Sequence, residues 1–261
     1  MSPFPPIEAR GIDLKYGSGK TVFTSLDLIL RNGEFLAVVG PSGCGKTSLL
    51  KILGGFLQPS AGYVNRNGSR INSPSPEAVM IFQEFDQLFP WKRVWENTAF
   101  PLKAGGKSGL SGLDESEKQR RVEEILREVG LFDYRSYFPH QLSGGMKQRA
   151  ALARALVSRP PVLLMDEPFG SLDAQKREEL QSLLLRMWRE HDFSVVFVTH
   201  DITEALLLAD RILVMESAVF GGNFTLMDLE LPRPRDVRSE DFNRCYNQVF
   251  SKLGSEDPGQ S

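Results

Sequence analysis

The sequence has little cysteine and no long hydrophobic run. Its two cysteines, Cys44 and Cys245, are too few for a disulfide framework. No segment approaches the roughly 18–20 consecutive apolar residues that a membrane-spanning helix requires. The N-terminus has no basic region followed by an apolar stretch, so we expect no signal peptide. These absences favour a cytosolic protein, which could still bind to the surface of a membrane protein.

The sequence has no large excess of basic or of acidic residues. The 261 residues include 31 lysines and arginines against 33 acidic residues, and the net charge is −2. There is no broad basic field, and we therefore expect no nucleic-acid partner. With 41% hydrophobic and 25% charged residues, the composition is that of a soluble globular protein with an ample core.

Alternating strand and helix patterns predict an α/β core. Residues 7–30 alternate apolar and polar side chains around a turn, which predicts two antiparallel strands. After residue 160 strands and helices alternate, which implies parallel pairing in a doubly wound sheet. The predicted core strands are 35–39, 62–68, 78–82, 162–166, 194–199 and 211–215, and the predicted core helices are 46–53, 173–191 and 202–208.

A different pattern occupies residues 84–158. Strand signals fade there, and helical periodicity appears near 94–103, 115–129 and 144–157. We expect a helical subdomain of about these bounds, inserted into the α/β core of one domain that spans residues 1–261.

Residues 40–47 read Gly-Pro-Ser-Gly-Cys-Gly-Lys-Thr and follow a predicted strand. This is the G-x-x-x-x-G-K-[ST] pattern of a phosphate loop, and a predicted helix comes directly after it. Glycines let backbone N–H groups close around phosphate oxygens, and the helix N-terminus adds partial positive charge. Lys46 should reach the β- and γ-phosphates, and Thr47 should bind Mg²⁺. The predicted nucleotide-binding residues here are Gly40, Pro41, Ser42, Gly43, Cys44, Gly45, Lys46, Thr47 and Ser48.

Cys44 lies inside this loop. Lys46 and the helix N-terminus both lower the pKa of a neighbouring thiol. We expect a reactive thiol whose alkylation blocks ATP binding, unless Cys44 is simply a small residue that fits a tight turn.

Two further segments carry chemistry. Asp166 and Glu167 end the apolar run 162–165, where two adjacent carboxylates are costly unless a cation pairs with them. Asp166 could hold Mg²⁺ through water, although a surface acidic pair is the plainer alternative. Residues 142–149 read Leu-Ser-Gly-Gly-Met-Lys-Gln-Arg, in which Ser143 is a good helix N-cap and the amides behind it form an anion site.

The phosphate loop, residues 142–149 and Asp-Glu-Pro at 166–168, in this order, resemble the ATP-binding cassette (ABC) ATPases. The resemblance covers about residues 8–216. It implies a P-loop NTPase (RecA-like) α/β core with an N-terminal antiparallel β subdomain and an inserted α-helical subdomain. It also implies ATP, Mg²⁺ and a homodimer in which residues 142–149 of one copy complete the ATP site of the other.

The resemblance assigns roles to single residues. Glu167 would polarise the attacking water, His200 would contact the γ-phosphate and orient that glutamate, and Gln83 would sense Mg²⁺ and the water. Tyr16 would stack on adenine, although a lone tyrosine or histidine beside a strand is often structural. The implied catalytic residues are Glu167, His200, Gln83 and Lys46, and the implied metal ligands are Thr47, Gln83 and Asp166. The residues that would face the ATP of the second copy, termed trans residues below, are Ser143, Gly144, Gly145 and Asp173.

Within the family, residues 88–92, 95–97, 142–149 and 231–236 resemble the bacterial nitrate, sulfonate and taurine importers. The resemblance implies an ATP-hydrolysing subunit, peripheral to the cytoplasmic face of the inner membrane, that energises import of a small anionic or organic solute. Its partners would be a membrane permease and, indirectly, a solute-binding protein. The aromatic segment 84–91 would be a docking surface for the permease, a subdomain core, or a mixture. Residues 216–237 depart from the pattern and leave the C-terminal strand register open.

Other members of the family remain alternatives. A DNA-repair type would carry long heptad arms, and a ribosome-acting type would carry two cassettes, and neither feature is present. A catalytically dead cassette is disfavoured because Lys46, Asp166, Glu167 and His200 are all present. An exporter ATPase is a closer alternative, but such chains are often fused to membrane helices.

Overall fold

The computed structural model describes residues 6–17, 21–82, 87–104, 113–170, 172–216 and 223–253. The chain divides into two compact units. The first unit comprises Met1–Pro74 and Ser194–Ser261, and the second comprises Ser75–Phe193. The described part of the chain contains no helix that is both long and apolar enough to cross a membrane.

The elements follow in chain order. The strands are β1 (Ile7–Lys15), β2 (Thr21–Leu30), β3 (Phe35–Val39), β4 (Ala61–Arg66), β5 (Ser69–Arg70), β6 (Ala78–Ile81), β7 (Val162–Asp166), β8 (Ser194–Thr199), β9 (Arg211–Met215) and β10 (Phe224–Asp228). The helices are α1 (Lys46–Leu53), α2 (Val94–Ala104), α3 (Glu115–Glu128), α4 (Gly144–Leu156), α5 (Ala174–His191), α6 (Ile202–Leu208) and α7 (Glu240–Leu253).

An antiparallel sheet in the first unit has the strand order β2-β1-β4-β5. The alternation predicted over residues 7–30 is visible in β1, where Ile7, Ala9, Ile12 and Leu14 are buried and polar residues intervene. Gly62 on β4 has a φ of 78°, and a Cβ there would collide with the backbone of β1. Glycine therefore allows these two strands to approach closely.

The second sheet region of the first unit has the strand order β10-β9-β3-β8. All residues of β3, β8 and β9 are buried, as expected for parallel strands that are covered on both faces. β3 pairs in parallel with both β8 and β9. β10 pairs antiparallel with β9, Phe224 lying opposite Met215, so this part of the sheet is not wholly parallel. That register was left open by the sequence.

The second unit contains a parallel strand pair and helices. β6 pairs with β7, with Ala78 opposite Val162. Between residues 87 and 158 the described part of the chain forms helices and turns, without a strand. The compact unit also includes β6, β7 and α5, so the 84–158 bounds of the inserted subdomain stay a prediction.

Candidate functional site

The phosphate loop joins β3 to α1 in the first unit. Gly43 and Gly45 have φ values of 80° and 105°, a left-handed backbone that glycine adopts at little cost. A Cβ at Gly40 would lie 2.6 Å from the Met215 carbonyl oxygen, so this position also requires glycine. Lys46 is buried, and its Nζ donates to the carbonyl oxygens of Gly40 (2.8 Å) and Pro41 (2.9 Å). The loop therefore holds an ammonium group at the start of α1, where an anion is favoured.

The environment of Cys44 contradicts the expectation of a reactive thiol. Its side chain is 3% exposed, and burial raises the pKa of the thiol more than the nearby charge of Lys46 lowers it. A buried neutral thiol reacts slowly, because the thiolate is the nucleophile. Cys44 instead fills a tight turn, and a Cβ at Gly40 would lie 2.7 Å from its Sγ.

Tyr16 lies at the end of β1, close to α1. Its side chain is about half exposed, and its hydroxyl shares a hydrogen bond of 2.8 Å with Ser48 Oγ. This bond orients the ring beside the first turn of the helix that the phosphate loop begins. The predicted nucleotide-binding residues Tyr16 and Ser48 are thus brought together in the first unit.

His200 is exposed and lies between β8 and α6. The residues on either side of it fix the backbone: Asp201 caps α6 by accepting from the backbone N–H of Thr203 (2.7 Å), and its own N–H donates to Thr199 Oγ1 (3.0 Å). Thr199 Oγ1 donates in turn to the buried carboxylate of Glu204 (2.6 Å). No sequence motif indicated the supporting roles of Thr199 and Glu204, because they depend on how the first turn of α6 meets β8.

The two acidic residues at the end of β7 have different environments. Asp166 is buried, and Glu167 is half-buried with a φ of 44°. A left-handed backbone is uncommon for a non-glycine residue and is often found at functional sites. Gly170 N–H donates to the Glu167 carbonyl oxygen (3.3 Å), so a tight turn maintains the position.

The oxygen donors suit Mg²⁺ by their chemistry. Thr47 on α1 offers a hydroxyl and Asp166 on β7 a carboxylate, and Mg²⁺ prefers one or two such ligands together with phosphate oxygens and water. The described residues include no group of three or more His, Cys, Asp and Glu side chains arranged for a metal. Each of these two donors, taken by itself, is of the kind that binds an ion arriving with a nucleotide.

The trans residues lie at the N-termini of α4 and α5 in the second unit. Ser143 caps α4, its Oγ accepting from Met146 N–H (3.3 Å), and Ser143 and Gly144 are exposed. Asp173 caps α5 by accepting from Lys176 N–H (3.0 Å). Lys176 also lies against Gly145, where a Cβ would be 3.3 Å from its Cδ. Lys176 was not predicted as a site residue.

The described residues of the aromatic segment, 87–91, include both buried and exposed side chains. Leu88 is buried, whereas Trp91 is 70% exposed. Phe89 packs against Trp91 with ring centroids 5.5 Å apart, and the Arg154 guanidinium lies 4.4 Å from the Phe89 ring. Burial lowers the pKa of Arg154. Gln83, the predicted catalytic and metal-sensing glutamine, and residues 84–86 lie outside the described residues.

Residues 23–170 match the sequence model of a protein family described as ABC transporter. The chain is 44% identical over 246 residues to the aliphatic sulfonates import ATP-binding protein SsuB 1 of Agrobacterium fabrum, with 94% of this chain and 82% of that protein covered. It is 45% identical over 242 residues to the taurine import ATP-binding protein TauB of Roseobacter denitrificans, with 93% of this chain and 80% of that protein covered.

Among solved structures, this chain is similar to the ATP-binding cassette MJ0796, a dimer in a post-hydrolysis state bound to ADP and Pi. The TM-score is 0.68 at 30% identity, with 80% of this chain and 93% of that chain covered.

Proposed function

The chain belongs to the ABC transporter family, and from this we propose that it is the ATP-hydrolysing subunit of an importer for a small anionic or organic solute. The observation that carries the proposal is the buried Lys46 ammonium, held by loop carbonyls at the N-terminus of α1. A buried cation at the N-terminus of a helix is a site for a polyphosphate. The similarity to sulfonate and taurine import proteins supports the solute class.

Each step of hydrolysis is assigned to residues of this chain. The phosphate loop binds the triphosphate through backbone N–H groups and Lys46, and Tyr16 orients the adenine. Thr47 and Asp166 would hold Mg²⁺, which neutralises charge on the β- and γ-phosphates when bound. Glu167 accepts a proton from the attacking water, while Gln83 and His200 orient the water and the γ-phosphate. Preorganised charge rather than a covalent intermediate supplies the rate.

We assign the second half of each ATP site to another copy of the chain. Ser143, Gly144 and Gly145 present the first-turn amides of α4, which attract the terminal phosphate of the ATP that the other copy binds. Asp173 caps α5 beside this surface, because its partner Lys176 contacts Gly145. The exposure of Ser143 and Gly144, and the dimeric state of a similar cassette, support this assignment.

The proposed partners of the chain determine where in the cell it is located. A membrane permease binds the exposed aromatic surface around Trp91, on the helical subdomain that we propose for residues 84–158. The chain is then peripheral to the cytoplasmic face of the membrane. A solute-binding protein is an indirect partner, and no nucleic acid is involved.

Substitution of Glu167 by Gln tests the hydrolytic step. We expect ATP hydrolysis to fall by about 10²–10⁴-fold, because the amide cannot accept the proton of the attacking water. ATP binding, measured by equilibrium dialysis, should be retained, whereas Lys46→Ala should lose it. Normal turnover by the Glu167→Gln variant would exclude Glu167 as the base.

The importer itself is tested by capture from native membranes. Tagged Glu167→Gln protein is incubated with ATP and detergent-solubilised membranes, and its partners are identified by mass spectrometry. The matched control is the Lys46→Ala/Glu167→Gln double variant, which should not form the ATP-bound state. ATP-dependent recovery of a polytopic membrane protein supports the proposal, and that complex can be screened with sulfonates, taurine and nitrate. Recovery of DNA or ribosomal proteins without a membrane protein would contradict the importer and leave the ATPase.

A further inference from the structure

Lys176 links the two elements that carry the trans residues. On one side, its Nζ lies 2.5 Å from Asp173 Oδ2, and its backbone N–H donates to Asp173 Oδ1. On the other side, its aliphatic stem lies against Gly145 in the first turn of α4. One lysine thus contacts both the cap of α5 and the proposed anion site of α4.

The same lysine borders a cavity of about 290 Å³ in the second unit. Ser143 and Gly145 line this cavity together with Arg149, Lys176 and Glu179. Arg149 Nη2 pairs with Glu179 at 2.8 Å, and Lys176 pairs with Asp173. These four charged side chains therefore form two neutral pairs.

This balance matters because the ligand of the site is a polyanion. The carboxylate of Asp173 carries a full negative charge and would repel an incoming triphosphate. The helix N-terminus that attracts the triphosphate has an effective positive charge of only about half an elementary charge. With Lys176 present the repulsion is cancelled. Without it, one uncompensated negative charge remains beside the amides of Ser143 and Gly145. Hydrogen bonding to Lys176 also lowers the pKa of Asp173, so this carboxylate stays ionised.

We propose that Lys176 is a positioning residue for the trans ATP site, which masks the charge of Asp173 so that the ATP of a second copy can approach Ser143 and Gly145. The inference rests on the proposed function, because it assumes that ATP joins two copies of the chain. Lys176 acts through Asp173 and need not touch the nucleotide.

The Lys176→Met variant tests the charge of Lys176 separately from the packing of its stem. Methionine keeps an unbranched stem against Gly145 but removes the ammonium group. Both members of the Asp173–Lys176 pair are about half exposed, and such pairs contribute little to folding, so the variant should fold. Lys118→Met is the matched control, because Lys118 makes the same kind of pair with Glu115, three residues earlier at the start of α3 (2.7 Å).

The readout is ATP-dependent dimerisation in the Glu167→Gln background, measured by analytical ultracentrifugation. In Lys176→Met we expect the dimer dissociation constant to rise about three- to tenfold at low salt and less at high salt, because screening weakens the repulsion. Lys176→Arg and Lys118→Met should behave like the parent. Adding Asp173→Asn to Lys176→Met should restore dimerisation, because asparagine caps the helix without the charge.

Each outcome has a defined meaning. An unchanged dissociation constant in Lys176→Met, equal weakening by Lys176→Arg, or no rescue by Asp173→Asn would overturn the charge-masking role. If the Glu167→Gln parent binds ATP but never dimerises, the trans site of the proposed function fails first, and this inference fails with it. Dimerisation of the Glu167→Gln parent therefore distinguishes the two failures: if the parent dimerises with ATP, an unexpected result in the variants counts against the role of Lys176 alone.

Discussion

Lys46 and Cys44 are close neighbours in the phosphate loop, yet burial affects their chemistry differently. Two carbonyl oxygens of the loop compensate Lys46, which can therefore remain in a buried position. Burial of Cys44 instead disfavours its thiolate and raises its pKa. The sequence places both residues beside a helix N-terminus, but it does not show that both are buried or that carbonyl oxygens compensate only the charge of Lys46. Local charge alone therefore gave the wrong expectation for Cys44.

Maleimide labelling checks this conclusion at the residue scale. In the folded protein near neutral pH, we expect Cys44 to react at least about tenfold more slowly than the half-buried Cys245, because the thiolate is the reactive species and access is limited. Peptide mass spectrometry can follow both cysteines in one sample. In denaturant, as the control, the two should label at similar rates. Rapid labelling of Cys44 in the folded chain would restore the original expectation.

At the scale of elements, a buried ion pair connects strands that are distant in sequence. Arg211 on β9 donates from Nη2 to Glu34 Oε2 (2.9 Å) and from Nε to Glu34 Oε1, and both side chains are about 5% exposed. The Arg31 N–H also donates to Glu34 (2.6 Å). The pair thus fixes the beginning of β9 beside the beginning of β3, where the parallel register starts.

Removal of one member should be costly. Glu34→Gln leaves the Arg211 guanidinium buried without its counter-ion, and we expect the free energy of unfolding to fall by about 3–5 kcal/mol. Urea unfolding measures this loss. Glu8→Gln is the control, because the partly exposed Glu8–Arg10 pair should contribute no more than about 1 kcal/mol. The double variant Glu34→Gln/Arg211→Met should lose less than the sum of its single changes. A cost for Glu34→Gln no larger than that of Glu8→Gln would contradict the structural role.

Residues 231–236 have a structural role that their sequence did not indicate. The sequence marks them only by resemblance to one importer branch. In the structure, Arg235 Nη1 donates to the Ala209 carbonyl oxygen (2.6 Å), and Arg233 donates to that of Leu208 (2.5 Å). Burial, with the nearby charge of Arg233, lowers the pKa of Arg235 to about 10. The two arginines satisfy carbonyl groups at the C-terminus of α6, a role that requires α6 and this segment to be adjacent.

At the scale of the whole molecule, the proposed function assigns to one chain two halves of different ATP sites. In that proposal the phosphate loop would belong to one site, and Ser143 with its neighbours would belong to the site of a second copy. A dimer of this kind is isologous, so both composite sites are equivalent. Activity should therefore depend on the assembly of two chains rather than on the fold of one.

Mixing two inactive variants tests this arrangement. Lys46→Ala lacks phosphate binding, and Ser143→Ala lacks the cap of the trans surface, so each homodimer should hydrolyse ATP poorly. In a mixed dimer, the Lys46 of one copy meets the Ser143 of the other, and one of the two sites is intact. We expect an equimolar mixture to recover roughly a quarter of the parent rate, since half of the dimers are mixed and half of their sites are complete. Absence of any recovery would contradict the trans assignment.

The sequence by itself determined the local patterns. The glycines and lysine of residues 40–47, the helix cap at Ser143 and the buried strands are set by short-range geometry and hydrophobic periodicity, and they indicated the fold class and the family. The site assignments remain predictions, and Gln83 lies outside the described residues. Only the tertiary structure decided that Cys44 is buried, that β10 runs antiparallel to β9, and that Lys176 joins Asp173 to Gly145. Burial, strand register and side-chain contacts of this kind depend on segments far apart in the chain, because they are set by packing rather than by local backbone preference.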